Sequence, residues 1–426
     1  MALVLVSAVS AVAMQRRAPS PPDAEGQIPA VFRRFAGQVV KVQVVENRSR
    51  AKAVTGSGFY VTPEGHVVTN YHVVSELVRR PERYRAELID SAGVTRGVEV
   101  VAVDVVHDLA VLATGRRVPR WFGLEASHIA QGLRLYSLGH PGDLGIAIVE
   151  GTYNGSLPHT LYPRIHFTGS INPGMSGGPT ITLDGRVIGI NVATAGNQRS
   201  FLVPVNDAAA LLRRAMGSAA RPADSLLADV GRQLLAYQDE YLPKLFADSV
   251  PTVDLGGLRV PTQPAGFFNC WGDADKDEDQ PYESIHHYCS TDDDVFLSGD
   301  ESTGIIEFQH DLLTTDQLNR FRFHALYTHE FQSLGRDWDL SSKGDEDLTA
   351  YRCRTGNVRE AAMTAKVMFC VRRYKKLPGL YDAVFRFAVL GRPRMGLLST
   401  LTMSGVSFAN AQMMVRRFVG AIRWSA

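Results

Sequence analysis

The sequence has few cysteines, almost no net charge and few long apolar runs. Only four of its 426 residues are cysteines, and its formal charge is +1. That balance gives no electrostatic reason to expect nucleic acid or a membrane surface as a partner. The apolar run at the N-terminus is shorter than the stretch of about 20 residues that crosses a bilayer. We therefore expect neither a nucleic-acid partner nor a stable membrane span.

The cysteines all lie in the last third of the chain. Neither neighbouring pair has the C-x-x-C spacing of a zinc knuckle. In an exported protein we expect two local disulfides, Cys270 with Cys289 and Cys353 with Cys370. Four buried free thiols in a cytosolic protein are the alternative.

The N-terminal run, MALVLVSAVSAVAMQRR, has the form of a secretory signal. It ends in Ala11, Val12 and Ala13, an A-x-A cleavage pattern, although the usual basic residue before the apolar core is missing. We predict a signal peptide over residues 1–13, and an exported protein, periplasmic or extracellular. A frayed apolar N-terminus is the alternative. Residues 14–27 are predicted to form a Pro-rich linker.

The length and composition predict two globular domains. Hydrophobic residues make up 45% of the chain and charged residues 21%, and 426 residues exceed one ordinary core. Over residues 28–215, short runs rich in Val and Ile are punctuated by Gly, Asn and Pro, which favours an all-β barrel or sandwich. A helix follows in NDAAALLRRAM, with Asn206 or Asp207 as its cap.

A second domain is predicted over residues 225–426, after a linker at 216–224. Ser225 is expected to cap a helix whose apolar residues recur three or four apart. Strand-like runs and a last amphipathic helix follow. This pattern predicts an α+β domain, an antiparallel sheet with helices on one face, and assigns it no function.

Three residues of the first domain together form a candidate catalytic triad. Ser176, in INPGMSGGP, needs a base because a hydroxyl is a poor nucleophile at neutral pH. His72, in VVTNYHVV, is the candidate base, and Asp108, in VVHDLAVLAT, would fix its tautomer. Asp104 is the rival acid. The chain order of histidine, aspartate and serine is that of the chymotrypsin-type arrangement.

The glycines near the serine predict an oxyanion hole. Such a site needs backbone N–H groups turned toward the developing negative charge, and glycine permits the required dihedrals. Gly174 and Ser176 are the predicted donors.

Four segments together resemble the protease domain of the HtrA (Deg) family of trypsin-like serine proteases. They are GSGFYVTPEGHVVTNYHVV, HDLAVLAT, INPGMSGGPTITLDGRVIGIN and FLVPVN, and they fall between about residues 35 and 206, under half of the chain. The resemblance implies an all-β double β-barrel of the chymotrypsin/trypsin type, no cofactor, and cleavage of peptide bonds in exposed or unfolded protein segments. It implies His72 as general base, Asp108 as its orienting acid and Ser176 as nucleophile, with Gly174 in the oxyanion loop.

The sequence departs from the family at three points. Met175 stands where the family usually has asparagine, and Gly169 where it typically has an acidic residue. Both are expected to lie in the loop that holds the oxyanion hole open. Family members usually carry PDZ domains after the protease, and residues 225–426 contain no recognisable PDZ carboxylate-binding loop.

Other polar segments have simpler interpretations. The acidic run DADKDED, residues 273–279, lacks the glycine and glutamate of a calcium-binding EF-hand and is read as a solvated loop. His286 and His287 are read as surface residues rather than metal ligands. The basic run RRYKK, residues 372–376, is read as the exposed end of a strand facing the acidic loop. Met413 and Met414 are read as helix or core residues. No metal site is therefore predicted.

Two functional hypotheses follow. The first is an exported serine endopeptidase acting on protein or peptide substrates. The second is a catalytically silent or partner-activated binding or sensor protein on a protease scaffold. The segments INPG and NVATA predict small or apolar pocket walls, and so an apolar residue before the cut. An oligomer is left open.

Overall fold

The computed structural model describes residues 24–126, 128–194, 199–216, 223–246, 250–275, 280–291, 293–299, 301–333, 340, 343–360 and 363–425. The predicted signal peptide lies outside the described residues, as does most of each predicted linker. A first helix, α1, spans Ala24–Phe35. The Pro-rich linker prediction is therefore wrong from Ala24 onward.

The first barrel contains six antiparallel strands and one helix. Its order is β1-β2-β3-β6-β5-β4, closed by pairing of β1 with β4. Short β-branched runs form these strands because they suit a pleated, half-buried surface. The helix α2, Tyr71–Arg79, connects β3 to β4. The strands are β1 Val39–Glu46, β2 Lys52–Tyr60, β3 His66–Thr69, β4 Tyr84–Ile89, β5 Thr95–Asp104 and β6 Leu109–Ala113.

The second barrel repeats this architecture and is followed by helix α3, Val205–Met216. Its strand order is β10-β11-β12-β9-β8-β7, also closed. The predicted double β-barrel is thereby confirmed. Because α3 begins at Val205, Asn206 and Asp207 lie in its first turn rather than capping it. The strands are β7 Arg134–Gly139, β8 Ala147–Ser156, β9 Ile165–Phe167, β10 Pro179–Ile181, β11 Val187–Thr194 and β12 Ser200–Pro204.

The rest of the chain forms an α+β unit, as predicted. Helix α4, Ala223–Tyr241, begins two residues before Ser225, which is therefore inside its first turn and not its cap. A seven-stranded antiparallel sheet has the order β15-β16-β19-β23-β22-β21-β20, and two smaller sheets are β13-β14-β24 and β17-β18. The strands are β13 Thr252–Leu255, β14 Leu258–Pro261, β15 Phe268–Asp275, β16 Glu283–Thr291, β17 Val295–Ser298, β18 Glu301–Thr303, β19 Ile306–Thr314, β20 Arg352–Glu360, β21 Met363–Arg373, β22 Leu380–Val389, β23 Met395–Ser407 and β24 Arg423–Trp424.

Helices cover both faces of the large sheet, so the prediction of one covered face is wrong. Helix α6, Phe408–Ala421, buries Met414 and Phe418 in the cluster that contains Leu397. Helix α5, Arg320–Ser333, packs Phe323 and Tyr327 against Leu398. Adjacent residues of a strand point to opposite faces, and these two leucines therefore meet different helices.

The barrels and the α+β unit share one apolar cluster. Helix α4 contributes Leu226, Val230 and Leu234, each under 5% exposed, to the same cluster as Val74 and Val78 of α2. The hairpin β17–β18 contributes two further buried residues to it, Val295 and Leu297. The second unit therefore packs directly against α2, the helix that contains the candidate base His72.

Candidate active site

His72 is the second residue of α2, and the Asp108 carboxylate makes two hydrogen bonds to it. The carboxylate of Asp108 accepts the His72 backbone N–H at 2.8 Å with one oxygen and meets Nδ1 of the ring at 2.7 Å with the other. A carboxylate only accepts, so Nδ1 carries the proton and Nε2 keeps its lone pair free to act as a base. The Asp108 side chain is nearly buried, and a quarter of the His72 side chain is exposed.

The backbone around Asp108 is fixed in a rare conformation. Its φ is +56°, in the left-handed region that non-glycine residues seldom occupy, in the turn between β5 and β6. Asn70, which is fully buried, donates its amide N–H to the Asp108 carbonyl at 2.8 Å. Asn70 also immediately precedes α2, and this bond therefore ties the start of the base's helix to the acid's turn.

The rival acid, Asp104, belongs to a different cluster. It accepts from His107 Nδ1 at 3.0 Å and from the Arg214 guanidinium at 3.2 Å. Burial opposes ionisation of the Asp104 carboxyl, but the hydrogen bonds and charge of His107, together with the charge of Arg214, hold its pKa below the ordinary value. The structure thus brings Asp108, and not Asp104, to His72.

Ser176 lies on a loop held by hydrogen bonds from both barrels. Its carbonyl accepts the Ser57 N–H of β2 at 2.7 Å. The following residue, Gly177, donates its N–H to Asn191 of β11 at 2.9 Å. Ser176 Oγ makes a long bond, 3.4 Å, to the Val192 carbonyl, and no bond to His72 is formed among the described residues. Catalytic hydrogen bonds are often long without substrate and tighten when it binds.

The two predicted oxyanion donors are available. Neither the Gly174 N–H nor the Ser176 N–H donates to any group among the described residues. Gly174 has a φ of +93°, and a Cβ there would lie 2.5 Å from the His140 carbonyl oxygen. Glycine is required because a side chain would have to displace the backbone against which this loop packs.

Ser57 joins this loop to its surroundings, a contact that no sequence pattern indicated. The Ser57 hydroxyl donates to the Gly174 carbonyl at 2.7 Å and accepts the His140 N–H at 2.8 Å. A single buried hydroxyl of the first barrel therefore fixes the oxyanion loop of the second.

Met175 is directed away from the predicted oxyanion hole. Its side chain is fully buried in the cluster of Leu135, Phe167 and Ile171. Its carbonyl accepts from Gly178 N–H at 3.0 Å and from the Asn191 amide at 3.2 Å. Met175 therefore lies in the predicted loop, with its side chain packed beneath it.

Gly169, the second departure from the family, is explained by packing. A Cβ at this position would lie 2.3 Å from the Phe167 ring. The predicted pocket walls are only partly described. Ile171 and Val192 are both buried in apolar clusters, and residues 195–198 lie outside the described part of the chain.

One aromatic residue from the second unit reaches the candidate base. The ring of Phe296, in β17, lies 5.7 Å from the His72 ring between centroids, with the planes at 73°. Nothing in the sequence connects these residues, which are distant along the chain and belong to different predicted domains.

The remaining predicted sites are structural. Both expected disulfides are present, each joining directly opposed residues of neighbouring strands, β15 with β16 and β20 with β21. His287 lies near the first disulfide, but its two sulfurs are bonded to each other and are not available as thiolate ligands. His286 pairs with Asp311 at 2.6 Å.

The basic run is not the exposed strand end that its charge suggested. Arg372 pairs with the buried Asp382 at 2.8 Å, Tyr374 is buried, and Lys376 pairs with Asp347 at 3.1 Å. Part of the predicted acidic loop, up to Asp275, is the end of β15, and residues 276–279 lie outside the described residues.

The matching family and the curated relatives agree on the class of the barrels. Residues 56–190 match the family described as a trypsin-like peptidase domain. A probable periplasmic serine endoprotease, DegP-like, of Halomonas elongata is 31% identical over 175 residues, which cover 39% of this chain and 36% of that protein. The mitochondrial serine protease HTRA2 of Bos taurus is 35% identical over 159 residues, 35% of this chain and 33% of that protein. The solved structure of Deg5 is 27% identical, covers 44% of this chain and 92% of its own, and has a TM-score of 0.38.

Two closed six-stranded barrels and the matching family define this part of the chain as a trypsin-like peptidase domain. Its curated relatives are serine endoproteases named DegP-like or HTRA. The domain is similar to the protease domains of HtrA-type (Deg) serine proteases. The chain spans about a third of the length of the relatives named here.

Proposed function

We propose that this protein is a serine endopeptidase that hydrolyses peptide bonds through His72, Asp108 and Ser176. The observation that carries the proposal is the two-point hold of Asp108 on His72, through the backbone N–H and Nδ1, with the Ser176 loop presenting two unused N–H groups. The matching family and the serine endoprotease relatives support the same class of reaction.

The proposed reaction has two stages, formation of an acyl-enzyme and its hydrolysis. Ser176 Oγ attacks the scissile carbonyl as His72 Nε2 takes its proton, and Asp108 stabilises the resulting imidazolium. The Gly174 and Ser176 N–H groups bind the oxyanion. His72 then protonates the leaving amine, and water hydrolyses the acyl-enzyme by the reverse proton path. Exposed or unfolded protein segments are the proposed substrates, in quality control or regulated proteolysis.

Export is part of the proposal. The N-terminal sequence, the two disulfides and the periplasmic naming of relatives support it. No helix among the described residues is long and apolar enough to cross a membrane.

The alternative, a catalytically silent or partner-activated protein, is favoured by one observation. Ser176 Oγ bonds to the Val192 carbonyl and not to His72. The unused oxyanion donors and the buried position of Met175 favour the enzyme instead.

A fluorophosphonate probe separates the two functions. We expect the full chain to be labelled and to cleave casein, with Ser176→Ala lowering turnover by about a millionfold. Ser170→Ala, an exposed serine on the same segment, is the matched control and should keep both properties. Absence of labelling in the folded wild-type chain would favour the binding protein, and casein cleavage by Ser176→Ala at the parental rate would remove Ser176 as nucleophile.

A further inference from the structure

The hairpin of β17 and β18 belongs to the second unit by sequence but lies on the protease domain beside His72. Val295 and Leu297 are each about 2% exposed and pack in the shared apolar cluster. Phe296, between them, is only partly buried and packs against the same cluster. There it lies against the imidazole of His72.

Polar contacts on both barrels anchor this hairpin. Just before β17, Asp293 accepts the Leu161 N–H at 2.6 Å, and the Asp294 carbonyl accepts the Tyr162 hydroxyl. Leu161 and Tyr162 belong to the segment between β8 and β9 of the second barrel.

The other end of the hairpin is held by the helix that carries His72. Glu301 of β18 pairs with Arg79 of α2 at 2.7 Å, and the same guanidinium pairs with Asp347 at 2.7 Å. The Arg79 side chain is only 8% exposed, so this ion pair is screened little by salt. The hairpin is thus fixed at both ends, and these contacts hold Phe296 next to His72.

The position of Phe296 decides what a substrate would meet. A peptide bound for cleavage must run past His72, because Nε2 has to reach both Ser176 and the leaving amine. Phe296 is only partly buried, so part of its side chain is accessible, and its ring lies 5.7 Å from the imidazole of His72. An aromatic surface there offers an apolar substrate side chain a place to bury area, and it keeps water from one side of the His72 ring.

We propose that Phe296 is a positioning residue for His72 and forms an apolar wall of the substrate cleft, so that the second unit selects apolar or aromatic side chains next to the scissile bond. This inference rests on the proposed function. It gives part of residues 225–426 a direct role in cleavage.

The test compares three variants of the full chain. Phe296→Ala removes the wall, Phe296→Leu keeps its apolar character without the ring, and Phe321→Ala removes a phenylalanine that is 70% exposed on α5. Each protein is digested with a synthetic peptide library, and cleavage sites are read by mass spectrometry. Kinetic constants for the best peptide give kcat and KM separately, and fluorophosphonate labelling of Ser176 gives the rate of nucleophile attack.

We expect Phe296→Ala to lower kcat/KM about tenfold for peptides with an apolar or aromatic residue beside the cut, through both kcat and KM. Peptides with polar residues there should lose less, which flattens the preference. Phe296→Leu should keep an apolar preference but lose part of the aromatic one. Phe321→Ala should match the wild-type chain throughout.

Several results would overturn the inference. One is an unchanged library profile in Phe296→Ala, or in Phe296→Leu if the alanine variant does not fold by circular dichroism. Another is a rise in labelling or cleavage, which would mean that the hairpin obstructs the cleft. If the wild-type chain is labelled no more than Ser176→Ala, the proposed function fails and this inference fails with it. Loss confined to the Phe296 variants leaves the proposed function intact.

Discussion

The hydroxyl of Ser57 donates a hydrogen bond to the carbonyl of Gly174 at 2.7 Å, across the junction of the two barrels. The same oxygen accepts the His140 N–H. Removing it leaves a buried N–H without a partner and frees the oxyanion loop, at a cost of about 1 to 3 kcal/mol.

We therefore expect Ser57→Ala to lower kcat by about tenfold or more, less than the hundred- to thousandfold loss of an oxyanion donor itself, with little change in KM. Ser404→Ala is the control, since Ser404 is a similarly buried serine bonded to the Ile305 backbone in the second unit. It should lose stability but keep kcat. Equal kcat in both variants would remove Ser57 from the support of the oxyanion loop.

Asp108 and Asp104 form a matched pair of buried carboxylates, each beside a histidine. Asp108→Asn should lower kcat by about ten-thousandfold, because an amide leaves the His72 tautomer unfixed. Asp104→Asn should stay close to the parent in kcat, since Asp104 meets His107 and Arg214 instead. The opposite ranking of the two variants would make Asp104 the catalytic acid. Steady-state kinetics on a chromogenic peptide decide between them.

Met175 should tolerate an apolar replacement and reject a polar one. Met175→Leu conserves volume and should change the free energy of unfolding by less than about 1.5 kcal/mol, with active-site titration unchanged. Met175→Asn, which restores the residue usual in the resembling family, places an amide in an apolar cluster and should cost about 2 to 5 kcal/mol. Met216→Asn, at a methionine that is 59% exposed, controls for the substitution itself. Faster probe labelling by a fully stable Met175→Asn would contradict this placement of the side chain.

Acid should weaken the structure beneath the oxyanion loop. Burial, followed by the charge of Lys41, lowers the pKa of His140 to about 4. An unfolded histidine titrates near 6.5, so between about 6.5 and 4 only the unfolded chain binds this proton. His140 therefore stabilises the fold above this window, and the free energy of unfolding falls by up to about 1.4 kcal/mol per unit as the pH drops through it.

Urea unfolding at pH 7 and pH 4.5 tests this expectation. His140→Phe should lose less stability than the wild-type chain over the interval, while His128→Phe, at an exposed histidine, should follow the wild-type chain. Identical losses in all three proteins would mean that His140 does not account for acid sensitivity.

The parts of the site that the sequence predicted are those encoded by short segments. His72, Asp108 and Ser176 each lie in a compact motif, and their order along the chain matches one known arrangement. The direction of the Met175 side chain was beyond prediction, because it depends on the turn from Asn172 to Met175 and on a cavity built by distant strands. Phe296 was beyond prediction for a similar reason, since only tertiary packing brings it to His72.

The fold shows the same division. The many short strands of the barrels were predicted from the sequence, but the prediction that helices cover only one face of the large sheet was wrong. Leu312 and Leu313 are adjacent and both buried, a sign in the sequence that this strand faces apolar surroundings on both sides. The basic run was misjudged because charge alone cannot show that Arg372 has a buried partner in Asp382.

The apolar cluster that extends from α2 through α4 to the hairpin has a consequence for how the chain holds together. If the peptide were cut between α3 and α4, separation of the fragments would expose Val230, Leu234 and Val295 to water, at about 1.5 to 3 kcal/mol for each side chain. The fragments would stay associated after the cut. The two units of the chain would therefore behave as a noncovalent complex even without the covalent link between them.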